Sequence, residues 1–180
     1  MLDAEIREIL FNYIDKTNEK ARVFDELVIA KSRADIVAVT PGKITGYEIK
    51  SDADSYARLP KQIKNYDRFF DENYLVVGKS HQKSAESHVP AHWGIICVTE
   101  SETTVLREAV KQKRSKLKPQ LRILWHIELE NILLANKLPR YKQKGKPFIR
   151  EKLLEKVPPD LLKTQLCEEL FERDYTIFDN

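Results

Sequence analysis

Apolar positions along the first hundred residues repeat with two periods. Leu2, Ile6, Ile9, Leu10 and Tyr13 or Ile14 fall on one face of a 3.6-residue repeat, with Asp3, Glu5 and Glu8 elsewhere, which predicts an amphipathic first helix. Arg22 to Ala30 reads as a first strand. Arg33-Ala-Asp-Ile-Val-Ala-Val39 has alternating or fully buried strand character, Thr40-Pro41-Gly42 reads as a turn, and Lys43-Ile-Thr-Gly-Tyr-Glu-Ile-Lys50 reads as its antiparallel partner. Helical spacing returns in Leu59, Ile63, Tyr66 and Phe70, with Lys61, Lys64 and Arg68 opposite; Pro60 suits a first turn, so this helix starts near it. Strands are expected at Tyr74 to Gly78 and Trp93 to Val98, separated by a polar segment from Lys79 to Pro90. Residues 103 to 110 read as an edge strand or a short helix. Pro119 opens a Leu-rich helix from Gln120 to Lys137, and Pro147 and Pro158-Pro159 punctuate two more short helices. The order α-β-β-β-α-β, with a further strand, predicts an α/β core over residues 1–105 with a mixed sheet flanked by helices, followed by a mostly helical extension over 106–180.

Composition agrees with a compact folded chain. A chain of 180 residues with 42% apolar content makes one domain, or a domain plus a helical extension. No apolar run reaches about 18 residues and no basic-then-apolar leader opens the chain, so a cytoplasmic protein with no membrane partner is expected. Cys97 lies in a strand-like run and Cys167 in a helix, which favours buried free thiols over a disulfide. His88 and His92 have ligand-like spacing, but Pro90 lies between them and no Cys/His partner follows, so zinc is not expected. No phosphate loop or nucleotide fingerprint appears, so nothing indicates ATP dependence.

A net charge of +3 does not by itself imply nucleic acid, but its distribution is uneven. Arg107, Lys111, Lys113, Arg114, Lys116 and Lys118 form one basic run, and Arg140, Lys142, Lys144, Lys146, Arg150 and Lys152 another, while Glu168, Glu169, Glu172 and Asp174 make the tail acidic. Either run is a set of phosphate contacts or a solvated loop.

The candidate chemistry sits in the hairpin, which brings Asp35 and Glu48 side by side. Alternation puts Glu48 and Lys50 on one face of the sheet and Tyr47 and Ile49 on the other. Charges at the end of apolar strands are costly unless paired or bound to an ion. The plain reading is a salt bridge of Lys50 with Asp35 or Glu48. Gln62 and Tyr66, one helical turn apart on the following helix, could hydrogen-bond to a metal-site carboxylate or contact a nucleic-acid backbone.

The series Asp35, Glu48-x-Lys50, Gln62-x-x-x-Tyr66 resembles the PD-(D/E)XK nuclease superfamily. It looks most like the branch in which a Gln-x-x-x-Tyr helix follows the catalytic strand, as in the nuclease domains of bacterial recombination helicase-nucleases. Gly46-Tyr-Glu-Ile-Lys-Ser-Asp52, Arg58-Leu-Pro-Lys-Gln62 and Tyr66 are also similar to a family of small, largely uncharacterised bacterial and phage proteins of this superfamily. The resemblance is clearest over residues 22 to 98, and Ala34 stands where the motif carries Pro. It implies a restriction-endonuclease-like fold and Mg²⁺-dependent hydrolysis of nucleic acid, expected to be DNA, with Mn²⁺ able to substitute. Asp35, Glu48 and the Ile49 carbonyl would be the metal ligands, Lys50 would act on the attacking water and the phosphate, and Gln62 and Tyr66 would brace the site. A further carboxylate from Glu5, Glu8 or Glu26 and a supporting hydroxyl from Ser51 are implied in the same way. The rivals are a binding protein that keeps the fold without turnover and an ordinary α/β domain with a structural salt bridge. Substrate form and oligomeric state, a homodimer included, stay open.

Overall fold

The computed structural model describes residues 1–29, 32–112 and 116–178; the expected strand position Ala30 and the basic positions Lys113 and Arg114 lie outside the described residues. Six strands form one mixed sheet in chain order: β1 (Arg22–Ile29), β2 (Ser32–Thr40), β3 (Lys43–Lys50), β4 (Glu72–Val77), β5 (Gly94–Val98) and β6 (Thr103–Arg107). The pairs β1–β2, β2–β3 and β5–β6 are antiparallel, and β3–β4 and β4–β5 are parallel. The hairpin register pairs Thr40 with Lys43 around Pro41-Gly42, and Gly42 takes the positive φ of 70° that such a turn needs in its second central residue.

The period-2 alternation divides the sheet into two buried faces. On one, Ile36, Ala38, Tyr47, Ile49, Val76 and Ile96 pack against Ile6, Leu10 and Ile14 of helix α1 (Asp3–Thr17). On the other, Val37, Val39, Ile44, Leu75 and Val77 pack in a larger core with helix α2 (Leu59–Phe69) and with the C-terminal helices. These are α3 (Leu117–Gln120), α4 (His126–Ala135), α5 (Lys146–Lys156) and α6 (Pro159–Phe171). The molecule is therefore a mixed α/β protein with a helical C-terminal part that shares the core of the second face. The 103–107 segment is an edge strand, one of the two forms its pattern allows. Cys97 and Cys167 are buried free thiols.

The Leu-rich stretch expected as one helix from Gln120 to Lys137 is two. The chain leaves α3 at Gln120 and restarts at His126, because the Trp125 N–H is taken by the Glu128 carboxylate at 2.6 Å and Leu121, Ile123 and Leu124 all turn into the core. Glu128 is itself held by a buried two-pronged ion pair with Arg173, at 2.6 and 2.7 Å.

Two contacts fix α2, the helix that bears on the site. Asp67 Oδ1 accepts hydrogen bonds from Asn73 Nδ2, Trp93 Nε1 and Gln112 Nε2 at 2.8–3.0 Å and lies 2.9 Å from His92 Nε2. The hub ties α2 to β4, to the approach to β5 and to the segment after β6. Gly46 lets the helix come close: a Cβ there would lie 2.2 Å from the Phe70 ring and 2.8 Å from the Tyr66 ring. Gly46→Ala is therefore expected to lower unfolding stability by about 1–3 kcal/mol through overpacking, read by urea denaturation. An unchanged midpoint would mean that α2 does not depend on this approach.

Candidate active site

The sheet opens at Asp35. The β1–β2 register pairs Asp25 with Ile36 and Leu27 with Ala34, leaving Glu26 and Asp35 out of the ladder, and the β2–β3 pairing stops at Ile36 and Tyr47. Glu26 takes a φ of 52°, the local distortion that accompanies this gap. The backbone groups of Asp35 are instead satisfied by side chains from both helical layers. Its N–H donates to the Tyr66 hydroxyl at 3.0 Å, its C=O accepts from Arg7 Nη1 at 3.1 Å, and the Tyr66 hydroxyl donates in turn to the Tyr47 carbonyl at 3.2 Å. The Tyr66 hydroxyl thus wedges β2 and β3 apart where the two carboxylates stand.

Glu48 and Lys50 share the face toward α2, as the alternation requires. Lys50 Nζ donates to Glu48 Oε1 at 2.6 Å and to Gln62 Oε1 at 3.3 Å, while the Asp35 carboxylate accepts from the Ile49 N–H at 2.9 Å. Glu48 is 0% exposed and its Oε2 has no hydrogen-bond partner. Burial, with the Asp35 charge adding to it, pushes the Glu48 carboxyl up to about 7. Burial also raises Asp35, opposed by the Ile49 N–H and the Arg7 and Lys50 charges. Ser51 is turned away, with both its N–H and its hydroxyl bound to Asp54.

The residues expected at the site, Asp35, Glu48, Ile49, Lys50, Gln62 and Tyr66, are brought together. The three further carboxylates are not. Glu5 accepts from the Leu2 N–H at the start of α1, Glu8 is exposed, and Glu26 pairs with Arg33. Their place near Asp35 is taken by Arg7, whose guanidinium bonds Asp3 and Asp25 and lies 3.7 Å from Asp35 Oδ1. Its one visible trace in the chain is the i,i+4 spacing of Asp3 and Arg7. Among the described residues, no group of three or more His, Cys, Asp or Glu side chains is placed to hold a metal. A cation here would draw on two carboxylates and a backbone carbonyl. That oxygen-only set, with one buried oxygen unpartnered, suits a hard divalent ion.

The basic runs behave differently from each other. Lys116 is buried, its amine bonded to the Asp67 carbonyl and to Gln112, and the half-buried Arg107 bonds the Trp93 and Pro90 carbonyls; both amine and guanidinium serve the loops around β5 and β6. Lys111 and Lys118 are exposed. In the second run, Arg140, Lys142 and Lys144 are exposed, and Lys144 and Lys152 flank the Phe148 ring at 5.4 and 5.8 Å.

A family profile described as "Bacteriophage P4 protein cII" matches residues 2–178, and the chain belongs to that family. Protein cII of Enterobacteria phage P4 is 24% identical over 115 residues, 62% of this chain and 44% of the relative, so the match spans less than half of that protein's length. A solved protein of unknown function from Silicibacter pomeroyi is 21% identical, with a TM-score of 0.45, over 77% of this chain and 82% of the other. Among the described residues no helix is long and apolar enough to cross a membrane.

A carboxyl that holds its proton more tightly folded than unfolded favours folding below its unfolded pKa and loses that contribution as pH rises through its folded one. With Glu48 raised from 4.5 to about 7, stability of the metal-free protein should fall between pH 5 and pH 7.5, by on the order of 3 kcal/mol at most. Glu48→Gln should flatten that decline and leave the metal-free protein no less stable at neutral pH. A wild-type melting temperature independent of pH across this window would show that the carboxyl is not held in this state.

Proposed function

We propose that this chain, a member of the bacteriophage P4 protein cII family, is a metal-dependent nuclease that hydrolyses phosphodiester bonds of DNA. On this reading the order α1-β1-β2-β3-α2-β4 is a restriction-endonuclease-like core. One observation carries it: a fully buried Glu48 beside Asp35 keeps an oxygen outside hydrogen-bond geometry, the nearby Tyr66 hydroxyl donating to the Tyr47 carbonyl instead, while Lys50 is bound to its other oxygen. An unsatisfied buried acceptor costs about 1–3 kcal/mol, and a salt bridge alone would not require one. A divalent cation held by Asp35 and Glu48 would supply the partner that the orphaned oxygen lacks and offset the burial and the neighbouring Asp35 charge that raise Glu48.

Asp35, Glu48 and the Ile49 carbonyl would hold Mg²⁺, or Mn²⁺ in its place. When bound, the ion supplies Lewis acidity at the phosphate and a water acidic enough to attack it. Lys50 would exchange its bond to Glu48 for the attacking water and the phosphate oxygens, orienting the one and offsetting charge on the other. Gln62 keeps the Lys50 amine aimed, through the 3.3 Å contact, and Tyr66 holds open the gap between β2 and β3. The exposed cations of the second basic run supply sequence-independent phosphate contacts.

Lys50→Ala should abolish cleavage of a panel of linear, nicked, branched and single-stranded DNA, while calorimetric titration still shows Mg²⁺ or Mn²⁺ binding. Asp35→Asn should instead weaken the metal binding itself. Metal binding with no turnover on any substrate would overturn the catalytic assignment, and unchanged metal affinity in Asp35→Asn would overturn the site.

Reversing Lys142, Lys144 and Lys146 to Glu should weaken DNA affinity about equally for every sequence and lower the salt slope by about one unit per lost contact, measured by fluorescence anisotropy. An unchanged slope would make this run a solvated loop.

A further inference from the structure

Beyond the carboxylate site, three aromatic rings gather at the same end of the sheet. The Lys50 carbonyl accepts from the Gly78 N–H at 3.2 Å, and the His81 N–H bonds the Gly78 carbonyl at 3.2 Å, so His81 sits one turn beyond the end of β4, beside the end of β3. Tyr56 lies in the segment that leads from Lys50 to α2, and the Leu59 N–H bonds its carbonyl at 3.0 Å. Its ring meets His81 edge-on at 4.8 Å and stacks on His88 with centroids 3.8 Å apart and planes 20° from parallel.

The two partners of the stack differ in what they cover. Tyr56 is half-buried and packs on the core, so its ring has a structural task. His88 is exposed, and among the described residues neither of its ring nitrogens has a hydrogen-bond partner. An exposed ring laid flat on a tyrosine extends an aromatic column outward from the core toward solvent. Arg58, Lys79 and Lys83, all exposed, lie on the same two segments. The exposed Glu86 shares the second segment, with Arg107 3.4 Å from its carboxylate. A sequence-tolerant aromatic face with cations on its own segments suits a strand with unpaired bases, since every base has a π-face while a duplex keeps those faces covered by its own stacking.

We infer that Tyr56 and His88, braced by His81, form a stacking platform for an unpaired nucleobase of the substrate strand, which makes single-stranded or frayed nucleic acid the substrate class. The inference rests on the nuclease reading for its substrate, but its test does not need turnover. Arg58, Lys79 and Lys83 hold the neighbouring phosphates, and the base next to the bound phosphate lies over the outer face of His88.

The test is binding of a short fluorescent oligothymidylate without divalent metal, compared with an abasic strand of equal length and a hairpin duplex. His88→Ala should weaken the oligothymidylate roughly 5- to 150-fold and leave the abasic strand and the duplex unchanged. His88→Phe, which keeps a flat ring, should restore the affinity. Because His88 is exposed, both variants should melt with the wild type, which separates the effect from misfolding. Equal losses on the base-bearing and abasic strands, no loss on either, or no measurable wild-type binding to the oligothymidylate would each overturn the platform. Absence of cleavage with Mg²⁺ and Mn²⁺, alongside the base-dependent loss, would overturn the nuclease reading and leave the platform standing.

Discussion

The interruption of the sheet at Asp35 is the constraint on which the candidate site depends. A central strand normally sends each backbone N–H and C=O to its neighbours, and a residue left out of both ladders carries two unsatisfied groups in a buried setting. Here one is met by the Tyr66 hydroxyl of α2 and the other by the Arg7 guanidinium of α1, from opposite faces of the sheet. Those two side chains are therefore part of the strand's hydrogen bonding as much as of any chemistry. Because Tyr66 also bonds the Tyr47 carbonyl, the residues that separate β2 from β3 are the ones that set where Asp35 stands relative to Glu48.

That arrangement makes demands on the packing above it. Tyr66 reaches the strands only because Gly46 presents no side chain, and α2 keeps its place through Asp67, which gathers Asn73, His92, Trp93 and Gln112 on one oxygen. Four groups sharing one carboxylate oxygen is an interaction spread over distant parts of the chain. It explains why Lys116, 49 residues beyond Asp67, is buried with its amine on the Asp67 carbonyl. A second link, of Lys163 with Asp71 at 2.6 Å and with Gln120 at 2.6 Å, docks α6 on the start of β4. The helical C-terminal part is thus fastened to α2, the helix that bears on the site, and to the start of β4, the strand paired with β3.

These links mark the boundary of what the sequence made legible. Strand alternation and hairpin register depend on neighbouring residues, so the sharing of a face by Glu48 and Lys50, and the approach of Asp35 to Glu48, could be read from the chain. The α2 stripe was legible for the same reason, although its buried side includes Phe69 and leaves Ile63 partly covered. Arg7 and Lys116 were not, because their partners are set by tertiary contacts across 28 and 49 residues. A run of basic residues carries no sign of which member turns inward: Lys116 does, Arg107 is half-buried with its guanidinium on backbone carbonyls, and Lys111 and Lys118 stay in solvent. The break between α3 and α4 was hidden for a related reason. Leucines on every side of a short stretch fit a buried helix and a buried turn equally, and only the Trp125–Glu128 bond decides between them.

The same packing sets the electrostatics of the site. Covering the Glu48 face with α2 removes water from a carboxylate that stands near a second one, and the Lys50 amine offsets only part of that cost, because it satisfies one of the two Glu48 oxygens. A purely structural ion pair gains nothing from the remaining oxygen, since an apolar residue of similar volume would pack there at lower cost. The hydroxyl wedge, the glycine that admits it and the Asp67 hub all maintain an opening in the sheet that a structural role would close by simple pairing of β2 with β3. The result is two carboxylates at one gap in the sheet, Glu48 fully buried and Asp35 partly exposed, with the Lys50 amine of the same strand committed to only one of the Glu48 oxygens.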